Sequence, residues 1–352
     1  MNKNETTLVI LTPGFAKDET NSVCLPLQQQ LVRAIKEANP QLNIIVLSFQ
    51  YPFHTKKYIW FNVTVIPFNG KKRLSRLLMK RKLNATLKKI NNATPITTLL
   101  SFWYGECTAI GKRFADKHGL KHFCWILGQD AKKENKYPQR SQLCPGELIA
   151  LSDFLQTEFE KNHGVRPDHL IPAGINTKLY NTTKKEKDID ILGAGSLIPL
   201  KQYDIFLQTI AEIKKQIPGI KAMLIGKGPE KDRLQILVTQ LGLQSNVTLA
   251  GELPYHEVLE QMRRAKVFLH PSSYEGFSGV CLEALYAGTH VVSFCKAMEQ
   301  NIEQWHIVSS REELIQKATS ILENPATVYN RITFCTIDEI AKKMTTLFFK
   351  NI

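Results

Sequence analysis

The chain has 352 residues, of which 43% are hydrophobic and 22% are charged, and this composition is typical of a globular protein rather than a disordered one. Its length predicts two domains, and the sequence contains no run of the ~18 apolar residues that a membrane-spanning helix needs. The seven cysteines are odd in number and form no CxxC motif, so we expect free thiols and neither a disulfide framework nor a zinc site. The first apolar run ends at Pro13 without a basic leader, which predicts no signal peptide and a cytoplasmic location.

The formal net charge is +14, and the excess of positive charge lies in the first half of the chain. Residues 1–180 hold 26 Lys/Arg against 13 Asp/Glu, whereas residues 181–352 hold 20 against 19. Segment 71–90 contains nine basic residues, no acid, and leucines at helical spacing, which predicts a basic amphipathic helix. Two interpretations stay open: the helix packs on a sheet with a solvated basic face, or it binds an anionic membrane surface as a peripheral protein on the inner face of the plasma membrane. A nucleic-acid partner is not expected, because no recognition module accompanies the charge.

Apolar strands alternate with helices along the first half of the chain. Strands are predicted at 7–12, 42–49, 62–67, 96–103, 122–127 and 147–151, and helices at 22–38, 73–90 and 106–118. Strands that are apolar throughout and separated by helices predict a parallel sheet covered on both faces.

A second α/β series follows the polar segment 181–187. Its strands are predicted at 190–192, 222–225, 247–250, 267–270 and 290–294, and its helices at 203–216, 232–241, 256–264 and 280–287, with a final helix at 337–349. Two such series predict two Rossmann-like domains that face a central cleft, with a ligand at the carboxyl ends of the strands. We assign residues 1–175 to an N-terminal domain, 176–187 to a linker, 188–330 to a C-terminal domain, and 331–352 to a helix that crosses back to the N-terminal domain.

The segment from His270 to Gly288 carries the most specific chemical signal. Glu275 should lie in the loop after a strand, and Glu283, eight residues later, one turn into the next helix. A carboxylate beside a helix N-terminus that also binds phosphate suits ribose hydroxyls. Glycine-containing turns after other strands, near Gly14, Gly195 and Gly226, would let backbone N–H groups approach an anion, although any α/β protein needs glycine there.

This segment resembles the E-x7-E signature of the family 4 retaining glycosyltransferases, which have the GT-B fold. Further motifs of that family occur in the same order, namely PAGIN at 172–176, G-x5-K from Gly195 to Lys201, LIGKGPE at 224–230 and LGLQSNVTLAG at 241–251. The resemblance covers about residues 170–295. The first half of the chain fits the fold, but its motifs match less specifically.

The resemblance implies a nucleotide-sugar donor on the C-terminal domain and an acceptor on the N-terminal domain. Glu283 would hold the ribose, Glu275 the hydroxyls of the donor sugar, and Lys201 the diphosphate. Backbone groups of the donor site would come from Gly14, Gly195, Ser196, Gly226, Phe277, Ser278, Gly279 and Val280. The implied catalytic set is Glu275, Lys201 and Asp130.

The activity implied is a retaining, metal-independent hexosyl transfer to a glycan or lipid-linked acceptor in cell-surface polysaccharide synthesis. No cofactor is expected besides the nucleotide-sugar, because Lys201 and a helix N-terminus can take the place of a metal ion at the leaving diphosphate. An NAD-dependent oxidoreductase is disfavoured, since Ile198 stands where the third glycine of a GxGxxG motif would be.

Two departures from the family pattern keep an alternative open, a nucleotide-sugar-binding relative without catalysis. Ser196 stands where the family often has Arg, and Lys227 or Arg263 would have to supply the missing cation. Leu127 stands where many relatives have His. The polar residues that could replace it, and contact the acceptor, are Trp103, Tyr104 and Glu106.

Overall fold

The computed structural model describes residues 6–70, 73–181, 183, 185–296 and 298–350, and for residues 73–78 it describes the backbone only. The chain divides into two compact units: the first combines Met1–Gly174 with Ile337–Ile352, and the second is Ile175–Thr336. The C-terminal helix is therefore part of the first unit. Residues 176–187, which the sequence predicts as a linker, are part of the second unit.

The first unit contains a sheet of eight strands. These are β1 (Thr7–Gly14), β2 (Asn43–Tyr51), β3 (Tyr58–Trp60), β4 (Val63–Pro67), β5 (Thr98–Phe102), β6 (Lys121–Ile126), β7 (Leu148–Ala150) and β8 (His169–Leu170). Their order is β3-β4-β2-β1-β5-β6-β7-β8, and neighbours are parallel except β3 with β4. The run LVIL of β1 is apolar throughout because both faces of this central strand are buried.

Five helices connect these strands: α1 (Pro26–Ala38), α2 (Arg73–Ala93), α3 (Glu106–His118), α4 (Tyr137–Ser141) and α5 (Asp153–His163). Helix α2 includes most of the basic segment, and residues 71 and 72 lie outside the described residues. Met79, Leu83 and Leu87 of α2 are buried in the core of the first unit, against residues of β1, β2 and α3. The packed interpretation of the helix therefore holds for its described apolar face.

The second unit contains a sheet of six strands, all parallel. These are β9 (Ile189–Ala194), β10 (Ala222–Ile225), β11 (Val247–Gly251), β12 (Ala265–His270), β13 (His290–Ser293) and β14 (Trp305–Ile307), in the order β11-β10-β9-β12-β13-β14. Its helices are α6 (Tyr203–Lys214), α7 (Lys231–Gln240), α8 (Tyr255–Arg264), α9 (Gly279–Tyr286) and α10 (Arg311–Glu323). Because β9 and β12 are neighbours in a parallel sheet, the loops that follow them lie at the same edge.

The last helix, α11 (Ile337–Phe349), packs against α1 in the first unit. Its Phe348 is fully buried and contacts Phe123 of β6, with ring centroids 5.3 Å apart. The Thr98 hydroxyl donates to the Phe348 carbonyl at 3.1 Å. Within the described part of the chain, no helix combines the length and the apolar character required to cross a bilayer.

The apolar runs of the sequence mark the principal strands but not several further elements. The short strands β3, β8 and β14 and the helices α4, α5 and α10 have no counterpart among the predicted elements. Helix α10 begins after Ser310, whose hydroxyl accepts the Glu313 N–H at 3.1 Å, so an N-cap signal was present in the sequence.

Candidate active site

Three titratable side chains converge at the carboxyl edge of the second sheet. Lys201 lies in a single 3-10 turn after β9, and Glu275 lies in the loop after β12. The two side chains form an ion pair, and His270 at the end of β12 places its Nε2 2.8 Å from Glu275 Oε1. Lys201 and Glu275 expose only 18% and 12% of their side chains, so this pair is shielded from solvent.

The Glu275 carboxylate is ionised at any physiological pH. Burial by itself would raise its pKa, but the hydrogen bond and electrostatic interaction with His270 and the charge of Lys201 outweigh burial and lower the pKa to about 2. Burial lowers the pKa of His270. Because the carboxylate only accepts, we assign the imidazole proton to Nε2, which donates to Glu275. The arrangement holds the Lys201 ammonium in place and leaves Glu275 unsuited to act as a general base.

The pKa of Glu283 is shifted in the opposite direction from that of Glu275. It lies in α9 with 4% of its surface exposed, and burial raises its pKa to about 7 against a smaller lowering by a hydrogen bond from Tyr255. The Tyr255 hydroxyl donates to Glu283 Oε1 at 2.6 Å, and the Tyr180 hydroxyl donates to the Glu283 carbonyl at 3.1 Å. A carboxyl group near half-protonation at neutral pH can both donate to and accept from hydroxyl groups. Neither tyrosine is among the predicted site residues, because both lie outside the motifs of the sequence.

The loop before α9 is held by side chains and presents its backbone at the helix N-terminus. Phe277 is fully buried and contacts Phe334, with ring centroids 5.5 Å apart. Ser278 adopts a left-handed conformation, and its Oγ lies 3.1 Å from His270 Nε2. The N–H groups of Gly279 and Val280 are in the first helical turn, where helix geometry provides no acceptor for them. The side chains of Phe277 and Ser278 therefore position the loop, and the amides that follow are available to an anion.

The glycine turns after β9 and β10 pack against one another. Gly226 has φ +149°, and a Cβ there would clash with the carbonyl oxygen of Gly195. The Gly195 N–H donates to Ile225 at 3.0 Å, and the Gly226 N–H donates to Gly251 at 2.7 Å. The backbone N–H groups of these two glycines are thus engaged within the protein. Ser196 is exposed at the tip of the turn.

The two cations proposed to replace the family arginine lie at different edges of the sheet. Lys227 follows β10 at the carboxyl edge, where it is 69% exposed and pairs with Glu252. Arg263 is buried in the last turn of α8, just before β12 begins, and it donates to Glu260 and to the Thr183 carbonyl. Arg263 therefore lies at the amino edge of the strands, and the prediction that it could replace the phosphate cation is wrong.

Asp130 has a structural position in the first unit. Its carboxylate accepts the N–H groups of Tyr104 at 2.8 Å, Leu127 at 3.1 Å and Gly128 at 2.7 Å, and 8% of the residue is exposed. Burial raises its pKa even though these hydrogen bonds lower it. Both oxygens hold the loop after β6 and the start of the loop after β5, so the geometry does not support the direct catalytic role predicted for Asp130.

The acceptor-side candidates separate into two groups. Tyr104 is 2% exposed, and its hydroxyl accepts the Leu143 N–H at 3.2 Å, so it is a core residue and the prediction of an acceptor contact does not fit. Trp103 and Glu106 line a cavity of about 80 Å³ at the carboxyl ends of β1, β2 and β5. The other lining residues are Pro13, Phe49, Gln50, Phe102, Gly105 and Cys107. Gly14, the last residue of β1, follows Pro13 of this lining.

Helix α2 borders this cavity with charge. Lys80 Nζ lies 3.2 Å from Glu106 Oε1, and the Lys80 side chain is 48% exposed. The basic residues Lys80, Arg81, Lys82, Lys88 and Lys89 are all exposed on the described part of the helix. The cation nearest the cavity is therefore Lys80, and the other four are solvated on the same helix.

The sequence matches to known proteins reported below concern mainly the second half of the chain. Residues 176–333, which nearly coincide with the second unit, match the family model described as glycosyl transferases group 1. D-inositol 3-phosphate glycosyltransferase of Acidothermus cellulolyticus is 29% identical over 184 residues, covering 44% of this chain and 41% of the relative. MMP alpha-(1->4)-mannosyltransferase of Mycolicibacterium hassiacum is 27% identical over 150 residues, covering 42% and 36%. The chain spans about two-fifths of the length of these relatives.

Solved structures match over nearly the whole chain. HepE of Anabaena, crystallised with UDP and glucose, has a TM-score of 0.67 and 17% identity over 98% of this chain and 96% of its own. Sucrose-phosphate synthase from Thermosynechococcus elongatus has a TM-score of 0.69 and 15% identity, with coverage of 98% and 95%. The chain therefore has the predicted GT-B fold, in which two α/β units each contain a mainly parallel sheet.

Proposed function

We propose that this chain is a retaining, metal-independent glycosyltransferase that moves a hexose from a nucleotide-diphosphate-sugar to a glycan or lipid-linked acceptor. The observation that carries the proposal is the shielded Lys201–Glu275–His270 cluster, which lies at the same sheet edge as the first turn of α9. A fixed ammonium and a helix N-terminus are the groups that bind a diphosphate. The match of residues 176–333 to a glycosyl transferase model supports the assignment.

The proposed chemistry assigns a separate task to each group. In the transfer, the bond between the anomeric carbon and the diphosphate breaks, and the anomeric carbon bonds to the acceptor oxygen on the same face. The acceptor proton passes to the leaving phosphate oxygen. Lys201 and the amides of Gly279 and Val280 would stabilise the charge that develops on the diphosphate. Glu275 would accept hydrogen bonds from sugar hydroxyls, and Glu283 would hold the ribose.

The cavity beside Trp103 and Glu106 is the proposed acceptor site. Its aromatic and apolar lining would contact the face of a sugar ring, and the Glu106 carboxylate would accept hydrogen bonds from ring hydroxyls. One of the exposed cations of α2, Lys80, pairs with Glu106 of this lining, so we propose that the acceptor is presented at an anionic membrane surface, in the synthesis of a cell-surface polysaccharide.

Nucleotide binding is the first test. Thermal unfolding would be followed with UDP, GDP, ADP, CMP and NAD, with and without EDTA. UDP is the first choice because HepE was crystallised with it. At a concentration of ~100 times its dissociation constant, a ligand adds about 2.7 kcal/mol of stability. We expect one nucleoside diphosphate to stabilise the wild type in the presence of EDTA but not Glu283→Ala.

The matched control is Glu212→Ala, which removes an exposed carboxylate paired with Lys215 on the surface of α6. This variant should respond to nucleotide as the wild type does. If no nucleoside diphosphate stabilises the wild type, the proposed donor site is wrong. If EDTA abolishes the response, the site depends on a metal ion and that part of the proposal is wrong.

Turnover distinguishes the enzyme from a second candidate, a nucleotide-sugar-binding protein without catalysis. Leu127 in place of the usual histidine is the observation that favours the second candidate. Release of free nucleoside diphosphate from a panel of UDP- and GDP-hexoses would be measured with and without lipid-linked acceptors. Binding without release under all these conditions would favour the second candidate.

Membrane attachment has its own test, which is flotation with vesicles in which about one-fifth of the lipid is anionic. Arg81→Glu combined with Lys82→Glu reverses two exposed charges of α2, and Lys221→Glu combined with Lys231→Glu makes the same change in the second unit. Polybasic binding contributes about 1 kcal/mol per residue, so we expect at least a tenfold loss of vesicle binding for the first pair only. Equal binding by both double variants would contradict a role for α2 at a membrane.

A further inference from the structure

Tyr203 has a hydroxyl group that the fold buries. The residue is the first of α6, two positions after Lys201, and only 3% of it is exposed. Its Oη has no hydrogen-bond partner among the described residues. Buried hydroxyls in folded proteins are nearly always paired, so an orphan of this kind requires an explanation. A ligand that supplies the missing acceptor is one explanation that can be tested.

The position of this hydroxyl is defined by the glycine turn after β9. A Cβ placed on Gly195 would lie 2.8 Å from Tyr203 Oη and 4.0 Å from Lys201 Cε. Gly195 has φ +153°, a conformation that side-chain-bearing residues rarely adopt, so its backbone favours glycine and leaves this space unfilled. The hydroxyl and the aliphatic end of Lys201 therefore border the same small space.

The surroundings of that space determine what could enter it. Tyr203 interacts electrostatically with Glu275, which is already paired with Lys201, and with Cys281 in the first turns of α9. Glu275 is thus the charged group that acts directly on the hydroxyl, and the Lys201 ammonium, which is paired with Glu275, brings into the same cluster a positive charge that favours an anion. Burial holds the pKa of Tyr203 well above its usual range, so the hydroxyl keeps its proton and can donate it in a hydrogen bond.

We propose that the Tyr203 hydroxyl is a direct hydrogen-bond donor to the diphosphate of the nucleotide-sugar, next to Lys201. The inference rests on the proposed function, because it assigns one more ligand to the same donor site. A phosphate oxygen is a strong acceptor, and a neutral hydroxyl adds a hydrogen bond without adding another buried charge. An ordered water molecule in the same space is the competing occupant.

Tyr203→Phe tests the inference because it removes the hydroxyl and keeps the ring that packs near Phe206. Calorimetric titrations would measure the dissociation constants of UDP, GDP and ADP, and of the monophosphate with the same base as the tightest diphosphate. Hydrogen bonds to charged groups contribute enough for us to expect about a tenfold loss of diphosphate affinity, and a smaller loss for the monophosphate. The melting temperature without ligand should stay equal or rise, since an unpaired hydroxyl has been removed.

Tyr104→Phe is the matched control in the first unit. It removes a buried hydroxyl that does have a partner, the Leu143 N–H, so it should lower the melting temperature and leave diphosphate affinity unchanged. Unchanged diphosphate affinity in Tyr203→Phe would overturn the inference and favour water as the occupant. Equal losses for the mono- and diphosphate, with a lower melting temperature, would overturn it in favour of a packing role. A wild type that binds no diphosphate would overturn the proposed function and the inference together.

Discussion

The carboxyl edges of the two sheets use their carboxylates in different ways. In the second unit, Glu275 is held by two side chains, Lys201 and His270. In the first unit, Asp130 is equally well buried, but its partners among the described residues are backbone N–H groups of the loops it holds. The difference teaches that burial after a strand does not by itself distinguish a candidate ligand-binding acid from one that holds loops, because the partners of the acid decide between the two.

The largest expected effect tests Lys201, at the carboxyl edge of the second sheet. Lys201→Met should slow release of nucleoside diphosphate from the sugar donor about 100- to 1,000-fold, since it removes a fixed charge at the leaving group. Lys227→Met is the control at the same edge, because Lys227 is 69% exposed and pairs with Glu252. We expect the rate of nucleoside diphosphate release to change less than about threefold in Lys227→Met. Initial rates at saturating donor would measure both, and equal losses would remove the distinction between the two lysines.

A smaller effect tests the role of Asp130 in holding the loops of the first unit. Asp130→Ala should lower the free energy of unfolding of the first unit by about 3 kcal/mol, because three backbone N–H groups lose their acceptor. Urea unfolding monitored by tryptophan fluorescence would measure it, since Trp60, Trp103 and Trp125 belong to the first unit. Asp116→Ala, which removes an exposed acid paired with Lys112, should change stability by less than about 0.5 kcal/mol. A loss of nucleotide affinity with no loss of stability would restore a direct site role for Asp130.

The two carboxylates of the second unit should give opposite pH dependence. Burial raises the pKa of Glu283 to about 7, so it binds a proton in the folded state that the unfolded chain has already released. Stability from this group is present below about pH 4.5 and is lost as pH rises to about 7. The hydrogen bond from His270 and the Lys201 charge outweigh burial and lower the pKa of Glu275 to about 2, so its contribution is present above about pH 4.5 and is lost as pH falls towards 2.

Free energies of unfolding of the wild type, Glu283→Gln and Glu275→Gln between pH 2.5 and 8 would measure these slopes. Relative to Glu283→Gln, the wild type should lose up to about 3 kcal/mol between pH 4.5 and 7. Relative to Glu275→Gln, the wild type should lose stability only as the pH falls below about 4.5. Slopes of the same sign for both comparisons would contradict the electrostatic contrast between the two residues.

The smallest effect concerns the cavity in the first unit. Glu106→Gln keeps the shape of the side chain but weakens its hydrogen bonds to hydroxyl groups, so the acceptor KM should rise about tenfold. Donor affinity should not change, because the proposed donor-binding groups belong to the second unit. Stability should also change little, since the partner Lys80 is 48% exposed and such pairs contribute about 1 kcal/mol or less. A change in donor affinity without a change in acceptor KM would contradict the assignment.

Part of this architecture was predictable because it depends on local pattern. The apolar runs predicted β1, β2, β5, β6, β9, β10 and β12, and the spacing of Glu275 and Glu283 placed one acid in a loop and one in a helix, as observed. Helix α5 was missed although Ser152 caps it by accepting the Leu155 N–H at 3.1 Å. Short strands such as β8, with two residues, have too few positions to show a pattern.

The sequence by itself determined the alternation of strands and helices, the two α/β series, and which residue types follow each strand. Only the tertiary structure decided which of those residues share an environment. Lys201 and Glu275 are 74 residues apart and meet because β9 and β12 are neighbours in the sheet. The same packing directs Asp130 to backbone N–H groups, places Arg263 at the opposite edge of its sheet, and leaves the Tyr203 hydroxyl beside Gly195 without a hydrogen-bond partner among the described residues. Burial and hydrogen-bond direction depend on neighbours that are distant in sequence, and a single sequence does not specify those neighbours.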